Sequence, residues 1–201
     1  MNRIVLLIFL SLSFNSWSQD LKKEKRQLDY YEKSNKYLSE SDLEKARLTL
    51  YFSYQANPES ELGKTALKKS DSLKAVIRNE LIQKIQGNWK WKNTGTNWGI
   101  EKTAEENNIE KIVEIKGLQL SFYEIDKNEK KLIQSEIIEF INEEKMIPSS
   151  TDILYSDNQI WRFDLKDDNQ ILKMVNSGEN NTNGRTVIVC GNEELTFERI
   201  K

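Results

Sequence analysis

The spacing of apolar residues changes partway along this chain, and the change predicts two regions of different structure. From position 20 to 86, apolar residues recur three or four positions apart, the period of one helix face. After Gly87 they alternate with polar residues, the period of a half-buried β-strand. We therefore expect an α+β protein in which a helical region precedes an antiparallel β-region.

The first region is predicted to contain three helices, or four if Ser70–Ser72 interrupt the last one. Ser41 and Glu44 have the spacing of a capping box, which predicts the start of the second helix. Asn57–Pro58 predict the next start, because Pro is tolerated at the first helical position, and Gly87 is placed to end the region. The apolar stripe expected on the first helix consists of Leu28, Tyr31 and Leu38.

The first two helices resemble one tetratricopeptide repeat. The residues that match the spacing of this family are Tyr30, Tyr37, Ala46, Leu50 and Pro58. The match covers residues 27–58, and no second copy follows at the same period. A single repeat does not bury its own faces, so these helices are expected to cover another surface or to bind a partner. An ordinary helical hairpin explains the same pattern equally well.

The second region is predicted to be a meander of short antiparallel strands. Turn signals such as Asp157–Asn158 and Gly191–Asn192 separate the alternating runs, and Gly191–Asn192 has the residue types of a two-residue β-hairpin turn. A closed barrel is the usual way for such a sheet to remove its edges, and a β-sandwich is the alternative. The expected strands are 89–92, 109–116, 118–125, 131–141, 152–155, 159–165, 170–176, 185–190 and 193–200.

Gly87, Asn88 and Trp89 at the start of this meander resemble the Gly-x-Trp signature of the lipocalins. The resemblance extends over residues 87–201 and implies a lipocalin-like barrel. In that family the Trp closes one end of the barrel beneath an Arg from the last strand. Arg199 stands at the corresponding place here. The resemblance thus implies barrel closure by Gly87, Trp89 and Arg199, through a cation–π contact.

A barrel of about eight strands is either filled by its own side chains or holds one small ligand. If it holds a ligand, the loop 93–108 corresponds to the lipocalin loop that folds over the cavity mouth. Trp98 in this loop is then either a lid residue that contacts ligand or a plug on the rim. The expected lining of the interior, from the alternation, is Leu118, Leu120, Phe122, Trp161 and Phe163.

The first 18 residues have the order of a secretory signal peptide. Arg3 precedes the apolar run Ile4–Leu12, and Ser16-Trp17-Ser18 form a small-x-small cleavage site. The alternative, a membrane anchor, needs about 20 apolar residues, and this run is much shorter. We therefore expect export to the periplasm or the extracellular space, with a mature chain from Gln19, and no transmembrane span after signal removal. The predicted organisation is signal peptide 1–18, helices 19–86 and barrel 87–201.

The amino-acid composition argues against several classes of partner and of reactive site. The net charge is -2 and the pI is near 5.5, which argues against a nucleic-acid partner. The chain has no His and only one Cys, so the commonest general base, metal ligand and nucleophile dyads are missing. We expect no catalytic residues, metal or cofactor.

The expected function is a non-enzymatic cell-envelope protein that holds a small apolar or amphipathic ligand in its barrel. The alternative is an interaction module with a filled barrel, whose helices dock on an envelope protein. Glycan binding on Trp91 and Trp98 is a weaker third interpretation.

Overall fold

The protein is described by a computed structural model over residues 2–96, 98–104, 110–127, 129–141 and 149–200, with side chains described from residue 20 onward. The chain divides into two compact units, residues 1–77 and 78–201. The helices are α1 (Asn2–Ser39), α2 (Leu43–Ala56) and α3 (Glu61–Lys84), and α3 continues from the first unit into the second. Three helices are thus present in the described residues, and Ser70–Ser72 do not interrupt the last one.

In the first unit, α1 and α2 are joined by a buried polar clamp. The side-chain nitrogen of Gln27 donates to the carbonyl oxygens of Ser53 and Asn57, at 3.1 and 3.0 Å. The Ser53 hydroxyl donates back to the Gln27 carbonyl at 2.9 Å. Ala46 and Leu50 of α2 are fully or almost fully buried beside this clamp. Since these amide groups have partners, their burial does not leave a polar group unsatisfied.

The predicted apolar stripe of α1 was wrong in part. Leu28 and Leu38 are 48% and 37% exposed, whereas Gln27 and Ser34 are buried and Tyr31 is half-buried. The buried face of α1 is therefore offset by one residue from the face that carries the leucines. The apolar period did not reveal it because two of its members are polar residues that satisfy their hydrogen bonds locally or across the hairpin.

The predicted helix starts were also displaced. Ser41 has a left-handed φ of 58° and precedes the cap, and the Asp42 carboxylate accepts from the Lys45 amide at 3.1 Å. Similarly, α3 begins after Ser60, whose hydroxyl accepts from the Gly63 amide at 2.9 Å. Both side chains do what an N-cap requires, because they satisfy an amide of the first turn.

The second unit contains eleven strands in the described residues. They are β1 (Gly87–Thr96), β2 (Gly99–Thr103), β3 (Glu110–Lys116), β4 (Gln119–Asp126), β5 (Glu129–Ile137), β6 (Glu139–Phe140), β7 (Asp152–Leu154), β8 (Gln159–Lys166), β9 (Ile171–Asn181), β10 (Gly184–Val187) and β11 (Glu193–Arg199). The predicted strands are found at shifted bounds. The strand β2 lies where a loop was predicted.

These strands form one antiparallel sheet that curls into a half-barrel. The order is β5-β4-β3-β1-β11-β9-β8-β7-β6, with β2 paired to β1 and β10 paired to β9. The α+β class and the antiparallel meander are confirmed, and one continuous sheet replaces the alternative of two facing sheets. The described strands do not form a closed ring of hydrogen bonds, because the order begins at β5 and ends at β6.

The predicted hairpin at Gly191–Asn192 was wrong. β10 pairs with β9, and β11 pairs with β9 and β1, so residues 188–192 are a connection between strands that are not partners. The hairpin turn lies one connection earlier, between β9 and β10, where Gly184 has a φ of 102°.

The core of the second unit lies inside the curl. Trp89 and Phe163 are its largest fully buried side chains, and Leu81 and Ile85 from the end of α3 belong to the same cluster. Trp89 and Trp91 are buried on β1 while Lys90 between them is exposed, as the alternation predicts. No helix among the described residues is both long and apolar enough to cross a bilayer.

Candidate functional site

At one end of the half-barrel, an aromatic ring packs against a guanidinium group. Trp89 on β1 pairs directly with Arg199 on β11, and the Arg199 guanidinium carbon lies 4.1 Å from the centroid of the indole ring. The predicted cation–π contact is therefore present. The Trp89 indole nitrogen donates to the carbonyl of Ile85 at 2.7 Å, which satisfies the polar atom of a side chain that is fully buried.

Arg199 also ties this end of the sheet to the end of α3. Its guanidinium donates to the carbonyls of Gln86, at 2.8 Å, and of Lys84. The last carbonyls of a helix lack partners within the helix and carry partial negative charge, so a cation is favourable there. Gly87 has a φ of 114°, and a Cβ there would lie 3.6 Å from the Arg199 side chain. Glycine thus permits the sharp turn from α3 into β1.

A cavity of about 350 Å³ opens further along the inner face of the curl. Trp91, which follows Trp89 by two residues on β1, lines this cavity. The other side chains around it come from β3, β4, β5, β8, β11 and the connection before β8. They include Ile112, Phe122, Ile133, Gln134, Tyr155, Gln159, Trp161, Leu195 and Phe197.

Aromatic rings form one wall of this cavity. Tyr155 and Trp161 stack with centroids 5.8 Å apart and an interplanar angle of 28°. Phe122 lies against Tyr155 in a tilted arrangement, at 6.4 Å. Such rings offer a large apolar surface at a small entropic cost, because each has only two side-chain torsions. This wall suits a flat or chain-like apolar group.

Two side-chain amides add polar contacts to the same cavity. The oxygen of Gln159 accepts from the indole nitrogen of Trp161 at 3.1 Å and from the amide of Asn176 at 3.2 Å. This pair of bonds uses the oxygen of the amide and leaves its NH₂ group to donate. Gln134 donates to Glu136 at 2.9 Å, which leaves its carbonyl oxygen to accept. Gln159 and Gln134 thus add one amide donor and one amide acceptor to the residues that line the cavity.

A buried carboxylate holds the connection that carries Tyr155. Glu136 accepts from the Ser156 amide and hydroxyl, both at 2.8 Å, as well as from Gln134. Burial raises the pKa of Glu136, but the bonds from Gln134 and Ser156 outweigh it, and the net pKa lies below its ordinary value. Glu136 is therefore ionised at neutral pH and positions the loop rather than exchanging a proton.

Tyr155 is kept neutral. Burial raises the pKa of its hydroxyl well above the ordinary value, and the charges of Glu136 and Asp157 raise it further. The hydroxyl contacts the sulfur of Met174 in the core at 4.0 Å, so the ring rather than the hydroxyl faces the cavity. Tyr155 thus contributes a neutral aromatic side chain to the wall of the cavity.

The rim of the cavity is charged and borders a second opening. Lys111 lies 5.6 Å from the Trp91 ring centroid and 3.5 Å from the carboxylate of Glu124, and both charged side chains are partly exposed. A further cavity of about 580 Å³ shares Trp91 and Lys111 with the first and is lined by Thr103 of β2. The β1–β2 hairpin therefore borders the opening.

The residues predicted to line the interior have different positions. Phe122 and Trp161 line the cavity. Leu120 and Phe163 are completely buried in the core and do not line the cavity. The interior position predicted for Leu118 was wrong: it is 53% exposed, because Gly117 and Leu118 form the turn between β3 and β4.

Trp98 has neither of the two predicted environments. It is 78% exposed at the turn between β1 and β2, so it does not plug the rim. It also does not line the 350 Å³ cavity, and instead borders a separate shallow groove with Ile100 and Glu194. The predicted loop 93–108 folds largely as the end of β1 and as β2, and its residues 97 and 105–108 lie outside the described part of the chain.

Sequence reasoning missed several cavity residues. Tyr155 and Gln159 flank a turn, and their convergence with Gln134 depends on pairing between strands far apart in sequence. Trp91, Leu195 and Phe197 did carry a usable signal, because they alternate with polar residues along β1 and β11. Among the described residues, no group of acidic or cysteine side chains has the arrangement of a metal site.

Comparison of the sequence with protein-family models gives no match, and comparison with curated proteins likewise gives no match. The lipocalin-like and tetratricopeptide-like resemblances therefore rest on the residues quoted above and on the antiparallel half-barrel.

Proposed function

We propose that this protein is an exported, non-enzymatic binding protein that holds a small apolar or amphipathic ligand inside its half-barrel. The observation that carries the proposal is the 350 Å³ cavity beside Trp91, Tyr155 and Trp161. Small-molecule sites usually have volumes of about 300–1,000 Å³, apolar walls and a few oriented polar groups. The amides of Gln134 and Gln159 are the polar groups of this site.

The lining favours a neutral ligand body with a flat or chain-like shape. The stacked Tyr155 and Trp161 rings provide the apolar contact area, and the two amides match a ligand that carries both an acceptor and a donor. The charged pair Lys111–Glu124 lies at the partly exposed rim, where a polar end of the ligand remains in contact with water. No net charge is required of the ligand.

The experiment is to purify the mature chain from its native host, extract it with organic solvent and identify co-purifying small molecules by mass spectrometry. The identified compound is then titrated back into delipidated protein by calorimetry. A Gln159→Ala variant is expected to bind at least about tenfold more weakly, because an oriented hydrogen bond is lost. Gln119→Ala is the matched control, since this exposed amide lies on β4 outside the cavity lining.

If nothing co-purifies and a panel of fatty acids, sterols and aromatic compounds gives no heat of binding, the carrier function is wrong. Equal affinities for Gln159→Ala and wild type would also contradict the assignment of the cavity.

Export is part of the same proposal and rests on the sequence pattern of residues 1–18. N-terminal sequencing of protein from the native host is expected to begin at Gln19. Recovery of mature protein that retains Met1 would contradict it.

A second candidate, a protein-interaction module, is favoured by a different observation. Trp98, Ile100 and Val189 are 78%, 66% and 84% exposed. Trp98 and Ile100 border the same groove, and adjoining exposed apolar side chains are typical of interaction sites, whereas single ones are ordinary surface positions. Pull-down with wild type and a Trp98→Ser/Ile100→Ser double variant tests this candidate: it requires a specific envelope protein that wild type retains and the double variant loses.

A further inference from the structure

A second, smaller cavity lies on the opposite face of the same sheet. On β7, Ile153 pairs with Trp161 and belongs to the core, whereas its neighbour Asp152 pairs with Arg162. Successive residues of a strand point to opposite faces, so Asp152 and Leu154 face away from the core. The cavity on that side has a volume of about 230 Å³, and its lining includes Glu139, Phe140, Leu154, Ile160, Asn180 and Arg185.

An arginine of the β9–β10 hairpin lines this cavity. Arg185 on β10 pairs with Asn180 on β9. Gly178 on β9 has a φ of 155°, and a Cβ there would lie 2.0 Å from the carbonyl oxygen of Thr186. Only glycine allows this close approach of the two strands. The Arg185 side chain on this closely paired hairpin is only 6% exposed.

The charges around Arg185 are not balanced. The completely buried carboxylate of Asp152 accepts from Nη2 of Arg185 at 2.6 Å and from Nε of Arg162 at 3.3 Å. One carboxylate thus serves two guanidinium groups. Arg162 is 40% exposed, so water screens its charge, whereas Arg185 has no such access.

Arg185 also has unused donors. Its Nη2 additionally donates to the Ser177 hydroxyl at 3.2 Å. Its Nε and Nη1 are buried and have no hydrogen-bond partner within the described part of the chain. Buried N–H groups of a charged side chain are costly without acceptors, and arginine donors match the oxygen atoms of anions. Within the described part of the chain, these two donors of Arg185 are therefore left without an acceptor.

We propose that this cavity binds a small monocarboxylate whose oxygen atoms accept from Arg185. Its volume lies below the usual range for drug-sized ligands, which limits the ligand to a few heavy atoms. Phe140, Leu154 and Ile160 provide an apolar wall for a short hydrocarbon tail. The exposed carboxylate of Glu139 in the lining disfavours ligands with more than one negative charge.

The test uses the mature full-length chain and butyrate as the probe, with sodium chloride at equal ionic strength as the reference. Butyrate is expected to raise the melting temperature saturably in wild type and in Arg162→Gln, the matched control that shares Asp152 but is partly exposed. Arg185→Lys keeps a cation beside Asp152 and lacks the unused guanidinium donors. Its affinity for butyrate is expected to fall at least about tenfold.

Four results would overturn the proposal. The first is an effect of butyrate equal to that of chloride. The second is an unchanged affinity in Arg185→Lys, provided that its circular dichroism matches wild type. The third concerns Glu143 and Glu144, which lie outside the described residues. If replacing both by Gln shifts the Arg185 Nε–H resonance without any ligand, the chain itself supplies the acceptor. Tighter binding of inorganic phosphate than of butyrate would contradict the choice of a carboxylate.

Discussion

Among single residues, Trp89 is the largest side chain that is fully buried, and it lies at the end of the half-barrel next to α3. Its ring is completely buried, its nitrogen is bonded to Ile85 and its face is covered by Arg199. Trp89→Ala is therefore expected to lower the free energy of unfolding by about 3–5 kcal/mol, as for other large core aromatics. Chemical denaturation measures the effect.

Trp98→Ala is the matched control for this prediction. Because Trp98 is 78% exposed, its removal is expected to change the unfolding free energy by about 0.5 kcal/mol or less. Equal effects of the two substitutions would show that Trp89 does not close the half-barrel.

Glu136 predicts a dependence of stability on pH. Its folded pKa is lowered, because the hydrogen bonds from Gln134 and Ser156 outweigh the effect of burial. A carboxylate with a lowered folded pKa stabilises the protein above its unfolded pKa, and this contribution is lost as pH falls through the folded value. Glu136→Gln is thus expected to cost about 1–3 kcal/mol at pH 7, and progressively less below about pH 4.5.

The measurement is urea unfolding of wild type and Glu136→Gln at pH values from 7 to about 3. Glu124→Gln is the control, since Glu124 is partly exposed and forms a surface pair with Lys111. A constant difference between wild type and Glu136→Gln across this range would contradict the assigned protonation.

At the scale of elements, the start of α2 distinguishes the sequence-based cap from the observed one. The Asp42 carboxylate accepts from the Lys45 amide, whereas Ser41 lies outside the helix with a φ of 58°. Asp42→Ala is therefore expected to destabilise the first unit by about 1 kcal/mol. Ser41→Ala is expected to change its stability by about 0.5 kcal/mol or less. Helical circular dichroism during thermal unfolding compares the two variants, and a larger effect for Ser41→Ala would restore the sequence-based cap.

The elements that the sequence predicted well are those with one buried face. β1 alternates clearly from Trp89 to Lys92, and β8 alternates from Trp161 to Asp164, because the half-barrel interior takes every second side chain there. β2 was missed because four of its five residues are exposed, so burial imposes no period on it. Helix starts were displaced by a residue or more because Ser, Asp and Asn all serve as caps, and the left-handed conformation of Ser41 is set by the turn as a whole.

The candidate site was predictable only in part for a related reason. Phe122 and Trp161 follow from alternation along single strands. The amides of Gln134 and Gln159 do not, because their roles depend on partners that strand pairing brings in from elsewhere. The imbalance at Arg185 is even less visible in the sequence, since it arises from the exposure of Arg162 and the close approach at Gly178.

For the whole molecule, the arrangement of the tryptophans predicts which of them reports on ligand. Besides Trp17 in the predicted signal, the chain has Trp89, Trp91, Trp98 and Trp161. Trp91 and Trp161 line the 350 Å³ cavity. Trp89 is buried next to the end of α3, and Trp98 is exposed at the β1–β2 turn. Among these four, a ligand that enters the cavity contacts only Trp91 and Trp161. The fluorescence of these two indoles is therefore expected to change on binding.

Single Trp→Phe variants at these four positions separate the contributions. With the compound identified by extraction, Trp91→Phe and Trp161→Phe are expected to lose part of the fluorescence change, because each removes an indole that the ligand touches. Trp98→Phe is expected to retain the whole change and the wild-type affinity, since its ring does not line the cavity. Trp89→Phe is expected to retain the change but to unfold more easily. If Trp98→Phe alone abolished the response, the β1–β2 turn would be the ligand contact, and the aromatic wall of Tyr155 and Trp161 would not be the binding site.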